Sequence, residues 1–201
     1  TRPWLAWTGF AVVALTASAF VACSILLRAH ADERREIMDQ LAQLETLGTA
    51  QSAIVWRALT LQMAGDQHGV TRLRGEEQRG RSEIYARLDE LGELEGRGAR
   101  WDRLLGFAAD PQGMDRLEYG ASAFLGGTQG AFGQMGLAPE RLRERLGHWD
   151  MNFGSFRDAL AAIKERDGAI AQASSEWANQ VTACAALVAL LLSVTFGVVA
   201  S

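Results

Sequence analysis

No Asp, Glu, Lys or Arg occurs from Pro3 to Leu27 or from Trp177 to Ser201, so every acidic residue, and every basic residue except Arg2, lies between Arg28 and Glu176. A hydrocarbon core about 30 Å thick needs roughly 20 apolar residues at about 1.5 Å rise each. The stretches Trp4–Leu27 and Val181–Ser201 both meet that length. The chain therefore reads as a transmembrane helix at 4–27, a charged helical domain at 28–180 and a second transmembrane helix at 181–201. A simple soluble domain is excluded, although the averages (48% hydrophobic, net charge −4) would describe one. Nucleic acid is not expected as a partner of this region, because its 24 acidic residues outnumber its 19 basic ones (all but Arg2) and the basic residues form no stripe.

The rival for the first segment is a secretory signal peptide, with Phe20-Val21-Ala22-Cys23 resembling a lipoprotein cleavage site. The apolar run exceeds the usual signal core of about 7–15 residues, continues through Ile25-Leu26-Leu27 and places Phe three residues before the cysteine, so an uncleaved span is expected. Trp4, Trp7 and Trp177 stand where interfacial anchors commonly sit. Two spans put both termini on one side. With the amino terminus inside, residues 28–180 are expected outside the cytoplasmic (inner) membrane. The start at Thr1 and the stop at Ser201 directly after a span lead to the expectation of a fragment whose C-terminal continuation has been removed.

The middle has few β-branched residues and apolar positions at three- and four-residue steps, which predicts helices. Leu142, Leu146, Trp149, Phe153, Phe156, Leu160, Ile163, Asp167, Ile170, Ser174, Trp177 and Val181 form a heptad seam without a stutter, expected on one helix from Pro139 into the second span. Ile37, Leu41, Leu44, Gly48, Gln51, Val55 and Ala58 keep the same spacing until Gly65-Asp66-Gln67-His68-Gly69 breaks it. A second helix is expected from about Thr71 to the Gly92–Gly98 region, and a short amphipathic helix over Trp101–Ala109. Asp110-Pro111 then opens a third long helix with Met114, Leu117, Ala121, Phe124, Thr128, Ala131 and Met135 on one face, before Gly136-Leu137-Ala138-Pro139 turns the chain. The fold class expected is all-α: two transmembrane helices flanking an extracytoplasmic antiparallel four-helix bundle with long first and last helices, roughly 60 Å outside the membrane against nearer 37 Å for the inner pair. Two stalk helices cannot bury both seams alone, so a parallel homodimer is expected, with membrane lipid as the other partner.

No catalytic site and no metal site is expected. His30, His68 and His148 have no companion at ligand spacing, both cysteines (Cys23 and Cys184) lie in the apolar segments, and no G-x-S-x-G occurs. No cofactor is expected. Cys23 and Cys184 are expected at similar depth on one interface as small packing residues, with a redox crosslink as the alternative. Gly120, Gly126, Gly127, Gly130, Gly133 and Gly136 sit in a predicted helix; close helix approach explains them, and a cavity or loose helix ordered by a ligand is the functional alternative. Arg57, beside Trp56 and read as lying on a buried face, is a candidate anion receiver. The candidate ligand-binding set is thus Trp56, Arg57, Gly127 and Gly130, for an unknown small ligand or periplasmic partner.

The span–helical domain–span order resembles the N-terminal sensor region of bacterial transmembrane receptors: the four-helix-bundle sensors of methyl-accepting chemotaxis receptors, histidine kinases and membrane diguanylate cyclases. Leu44–Gln51 and Arg57–Ala64 are loosely similar to the first helix of nitrate-sensor and pilus-chemotaxis receptors, of whose arginine-rich core only Arg57 is in place. The resemblance implies a sensory input module that passes a movement through helices continuous with the spans to a cytoplasmic output domain, such as a kinase or cyclase, missing from this chain. The seam Leu160, Ile163, Asp167, Ile170, Ser174 and Trp177 would transmit it, with polar Asp167 and Ser174 bringing two packings close in energy. A membrane-tethered helical scaffold that recruits a partner protein is the alternative.

Overall fold

The computed structural model describes residues 3–108, 110–133 and 139–200. They form four α-helices: α1 (Pro3–Met63), α2 (Gln67–Leu105), α3 (Gly113–Gly133) and α4 (Pro139–Ala200). No strand occurs among the described residues. The chain divides into two compact units, Thr1–Arg35 with Gly168–Ser201, and Glu36–Asp167.

In the first unit α1 and α4 contact each other through small and polar side chains. Ser24, Leu27, His30, Ala31 and Arg34 are buried on α1, and Ile170, Ala171, Ser174 and Ala178 on α4. Ser24 Oγ lies 2.9 Å from Thr182 Oγ1 and 3.4 Å from Ala178 O. Small residues of this kind let helix backbones approach closely. Many large apolar side chains point outward: Phe10, Leu15, Val21, Ile25, Leu187, Leu190 and Leu191 are all exposed. Both helices carrying them are long and apolar enough to cross a membrane. Cys23 and Cys184 are free thiols on exposed surfaces, not on the interface where they were expected to meet. The side chains of Trp4 and Trp7 lie outside the described residues.

The second unit has a conventional interior. One apolar cluster gathers Ile37, Leu41, Leu44 and Val55 of α1, Leu73, Ile84, Leu88 and Leu91 of α2, Leu117, Phe124 and Leu125 of α3, and Trp149, Phe156 and Leu160 of α4. Its helix ends follow the sequence signals. Gly65 takes the left-handed conformation (φ 78°), and Asp66 N–H donates to Leu61 O while Gly65 N–H donates to Gln62 O, closing α1 in a Schellman motif. Asp66 Oδ1 then accepts from Gly69 N–H at 2.8 Å and caps α2, which starts at Gln67, ahead of the expected Thr71.

Two expectations fail inside this unit. The second helix does not end at Gly92–Gly98; it runs to Leu105 and absorbs the predicted short helix, whose last residue, Ala109, lies outside the described residues. Each helix-interior glycine costs about 1 kcal/mol, but Leu91, Leu94, Glu95, Gly98 and Asp102 keep one face buried, and that burial outweighs the cost. The real stop is Gly106 at φ 78°. The third helix begins at Gly113, not at Pro111, because Asp110 closes a turn instead, accepting from Gln112 N–H at 3.2 Å and pairing with Arg116. The turn at Gly136–Ala138, Met135 and the side chain of Leu142 lie outside the described residues; α4 starts at Pro139 as expected.

The glycine-rich α3 divides by surroundings. A Cβ on Gly120 would stand 3.2 Å from Phe156 Cα, a backbone atom that cannot swing aside, whereas one on Gly126 or Gly130 would meet nothing within 4 Å. Gly120→Ala is therefore expected to lower stability by about 1–3 kcal/mol, and Gly126→Ala and Gly130→Ala to raise it by up to about 1 kcal/mol each. Thermal melts of the three variants check this. Equal shifts at all three positions would show that Gly120 makes no close approach.

Candidate functional site

The α4 seam is buried largely as its spacing requires. Trp149, Phe156, Leu160, Ile163 and Asp167 in the second unit, and Ile170 and Ser174 in the first, are nearly or fully buried. Trp177 breaks the pattern: it is 42% exposed, and Ala178 is buried in its place. The step from Ser174 to Ala178 is a second consecutive four-residue step, a stutter that lets α4 return toward its natural 3.6-residue turn. An indole does not fit a contact built from Ala171, Ser174 and Ala178.

Asp167 is wholly buried, and its Oδ1 accepts from Arg166 Nη2 at 2.7 Å and Nε at 3.0 Å. Arg166 Nη2 also reaches Glu95 Oε1 of α2 at 2.5 Å. Burial opposes the guanidinium charge, but Asp167, Glu95 and then Asp102 outweigh it and hold Arg166 above its ordinary value. Arg166, Glu95 and Asp102 border a cleft of about 480 Å³ between α2, the start of α3 and α4, which Asp110, Pro111, Met114 and Glu118 also line. A guanidinium only 21% exposed and forked between carboxylates of both helices ties α2 to α4.

The candidate ligand set does not converge. Arg57 and Trp56 are exposed, so Arg57 is not on a buried face of the chain. Trp56 meets Trp149 edge-on at a centroid distance of 6.0 Å. Gly127 lies under the same indole, where a Cβ would come 3.3 Å from Trp149 Cδ1, while Gly130 faces open space. Trp149 thus brings Trp56 and Gly127 together, and Arg57 and Gly130 stay apart from them. Among the described residues no group of three or more His, Cys, Asp or Glu side chains is placed to hold a metal ion.

Glu95, Asp102 and Arg166, and the buried Glu77 at the other end of α2, are not among the residues expected from the sequence. A signal for three of them was present. Ile84, Leu88, Leu91, Glu95, Gly98 and Asp102 alternate four and three residues apart, and Glu77 precedes Ile84 by one heptad. Carrying the period through charged residues and glycines would have placed all three acids on the buried face of α2. Compared with protein families, with curated proteins and with solved structures, the chain matches none.

Proposed function

We propose that this chain is the sensory input and transmembrane signalling module of a bacterial receptor. In this reading it is anchored twice in the cytoplasmic membrane, with an extracytoplasmic antiparallel four-helix bundle. The observation that carries the reading is α4, which continues unbroken from Pro139 to Ala200 and includes both the seam and the apolar segment. A helix without a Pro kink or glycine cap transmits rotation or displacement with little slack. Polar side chains at seam positions support a switching role: Ser174 Oγ is buried without a hydrogen-bond partner, and Asp167 places a carboxyl group in the same stripe. Each lowers the stability of the observed packing and narrows its gap to a rival one.

A second copy of the chain is the partner this reading needs, and α1 offers a face for it. Ala42, Thr46, Thr49, Ala53, Trp56, Thr60 and Met63 alternate four and three residues apart, carry no charge and are all exposed. The threonine hydroxyls are already satisfied by their own helix: Thr46 donates to Ala42 O, Thr49 to Glu45 O and Thr60 to Trp56 O, at 2.8–3.0 Å. What the stripe presents is methyl groups, an indole and a thioether at coiled-coil spacing.

The test is a chimera joining residues 1–201 to a cytoplasmic kinase domain. One alanine inserted after Asn179 rotates everything beyond it by about 100°. That insertion and Asp167→Leu are each expected to change basal kinase output by threefold or more. Output unchanged by both would overturn the reading in favour of a membrane-tethered scaffold.

A further inference from the structure

The end of the second unit remote from Arg166 holds a cleft of about 460 Å³ between α2 and α3, lined by Arg74, Glu77, Gln78, Arg81, Gln129 and Phe132, with Gly133 at its edge. Its volume falls in the range of small-molecule sites. Arg74 and Arg81 are two helical turns apart on one face of α2, about 10 Å along the axis. Each makes one hydrogen bond to α3: Arg74 Nη2 to Phe132 O at 3.1 Å, and Arg81 Nη1 to Gln129 Oε1 at 2.8 Å. A guanidinium has five N–H donors in a planar fork, so both arginines are held in place with donors to spare.

Glu77 lies between them. It is 2% exposed, its Oε1 has no hydrogen-bond partner, and Arg81 Nε stands 3.7 Å away, too far for a hydrogen bond. Burial pushes its carboxyl above the usual range, against the opposing pull of Arg81, Gln51 and Arg74. The other helices bring uncharged amides: Gln51 of α1 donates to Glu77 O at 2.7 Å, and α3 contributes Gln129. With Glu77 ionised the cleft carries one net positive charge, and with Glu77 neutral it carries two. A buried, unsatisfied carboxyl oxygen is a costly arrangement, and a ligand that shares a proton with it removes the cost.

We infer that the Arg74–Glu77–Arg81 cleft between α2 and α3 is a binding site for a small dicarboxylate, with one guanidinium fork for each carboxylate. Two separated forks favour two separated carboxylates over one compact oxyanion, which reaches only one fork well. The assignment deepens the sensory reading and rests on it only for the purpose of binding. Occupancy is read directly on the chain, so failure to bind removes the site and leaves the transmission reading to stand or fall with the kinase chimera.

The experiment is isothermal titration of glutarate into the detergent-solubilised chain, with sulfate as the compact oxyanion. Glutarate is expected to bind, and Arg74→Gln and Arg81→Gln each to weaken it tenfold or more. Glu77→Gln, which removes the one negative charge, is expected to tighten it severalfold; a cationic ligand would respond the opposite way. Gly133→Trp leaves both arginines in place and adds bulk at the edge of the cleft, from a position where a Cβ meets nothing within 4 Å. It too is expected to abolish binding, while Arg79→Gln, exposed on the same helix, leaves it unchanged. Absence of glutarate binding, wild-type affinity in both arginine variants, or sulfate binding as tight as glutarate would each overturn the assignment.

Discussion

Replacing Arg166 by leucine is expected to destabilise the second unit by about 3–5 kcal/mol, the usual consequence of removing one partner from a buried charge pair. The loss follows from what remains. Glu95, with a side chain 10% exposed, and Asp167, at 0%, would lose the guanidinium that now lies 2.5 and 2.7 Å from them. In a chain of this size, roughly 2–4 °C of melting temperature accompanies each kcal/mol, so a fall of about 10 °C is the expected reading. Arg166→Lys separates charge from geometry. It retains a cation but loses the fork that reaches Glu95 and Asp167 together, so an intermediate loss is expected. A triple variant, Arg166→Leu with Glu95→Gln and Asp167→Asn, is expected to recover part of the stability, because it removes both acid charges together with the guanidinium that faces them. An Arg166→Leu melt within about 1 kcal/mol of wild type would show that water screens the cluster as it screens a surface pair.

The same cluster shows where a sequence stops being legible. Arg166 stands beside the seam position Asp167, and nothing local distinguishes it from a solvated arginine; its partner Glu95 is 71 residues away on another helix. The seam itself was readable from Trp149 to Ser174, because apolar spacing at 3.5 residues leaves α4 no other face to bury. Its failure at Trp177 is physical: residue size decides which position faces a close helix contact, and alanine there wins over an indole. Propensity misled at Gly92–Gly98, where a local cost was read as a stop although Leu91 and Leu94 keep burying apolar surface across it. The glycines of α3 are alike in sequence and unlike in place. Only the neighbour across the contact, Phe156 Cα for Gly120 and Trp149 for Gly127, tells a glycine that is needed from one that is not.

The second large effect concerns Trp149, a residue through which α4 meets both α1 and α3. Its indole is 1% exposed, lies 6.0 Å from Phe124 and 6.3 Å from Phe153, nearly parallel to the latter, and takes the edge of Trp56. Its Nε1–H donates to Thr128 Oγ1 at 3.0 Å, and the Thr128 hydroxyl donates in turn to Phe124 O at 2.9 Å. Trp149→Ala therefore removes a large core side chain, the contacts of three rings and the donor to a buried oxygen. A loss of about 3–5 kcal/mol is expected, again near 10 °C in melting temperature. Trp149→Phe keeps a ring against Phe124 and Phe153 but cannot reach Thr128, so it isolates the hydrogen bond, worth about 1 kcal/mol, plus the smaller volume. Gly127 supplies the check on mechanism: the indole now occupies the space its Cβ would need, 3.3 Å from Trp149 Cδ1. Gly127→Ala is expected to destabilise the wild type and to stabilise the Trp149→Ala chain, where the new methyl enters the vacated space. Effects of the same sign in both backgrounds would mean that α3 does not pack against the Trp149 ring.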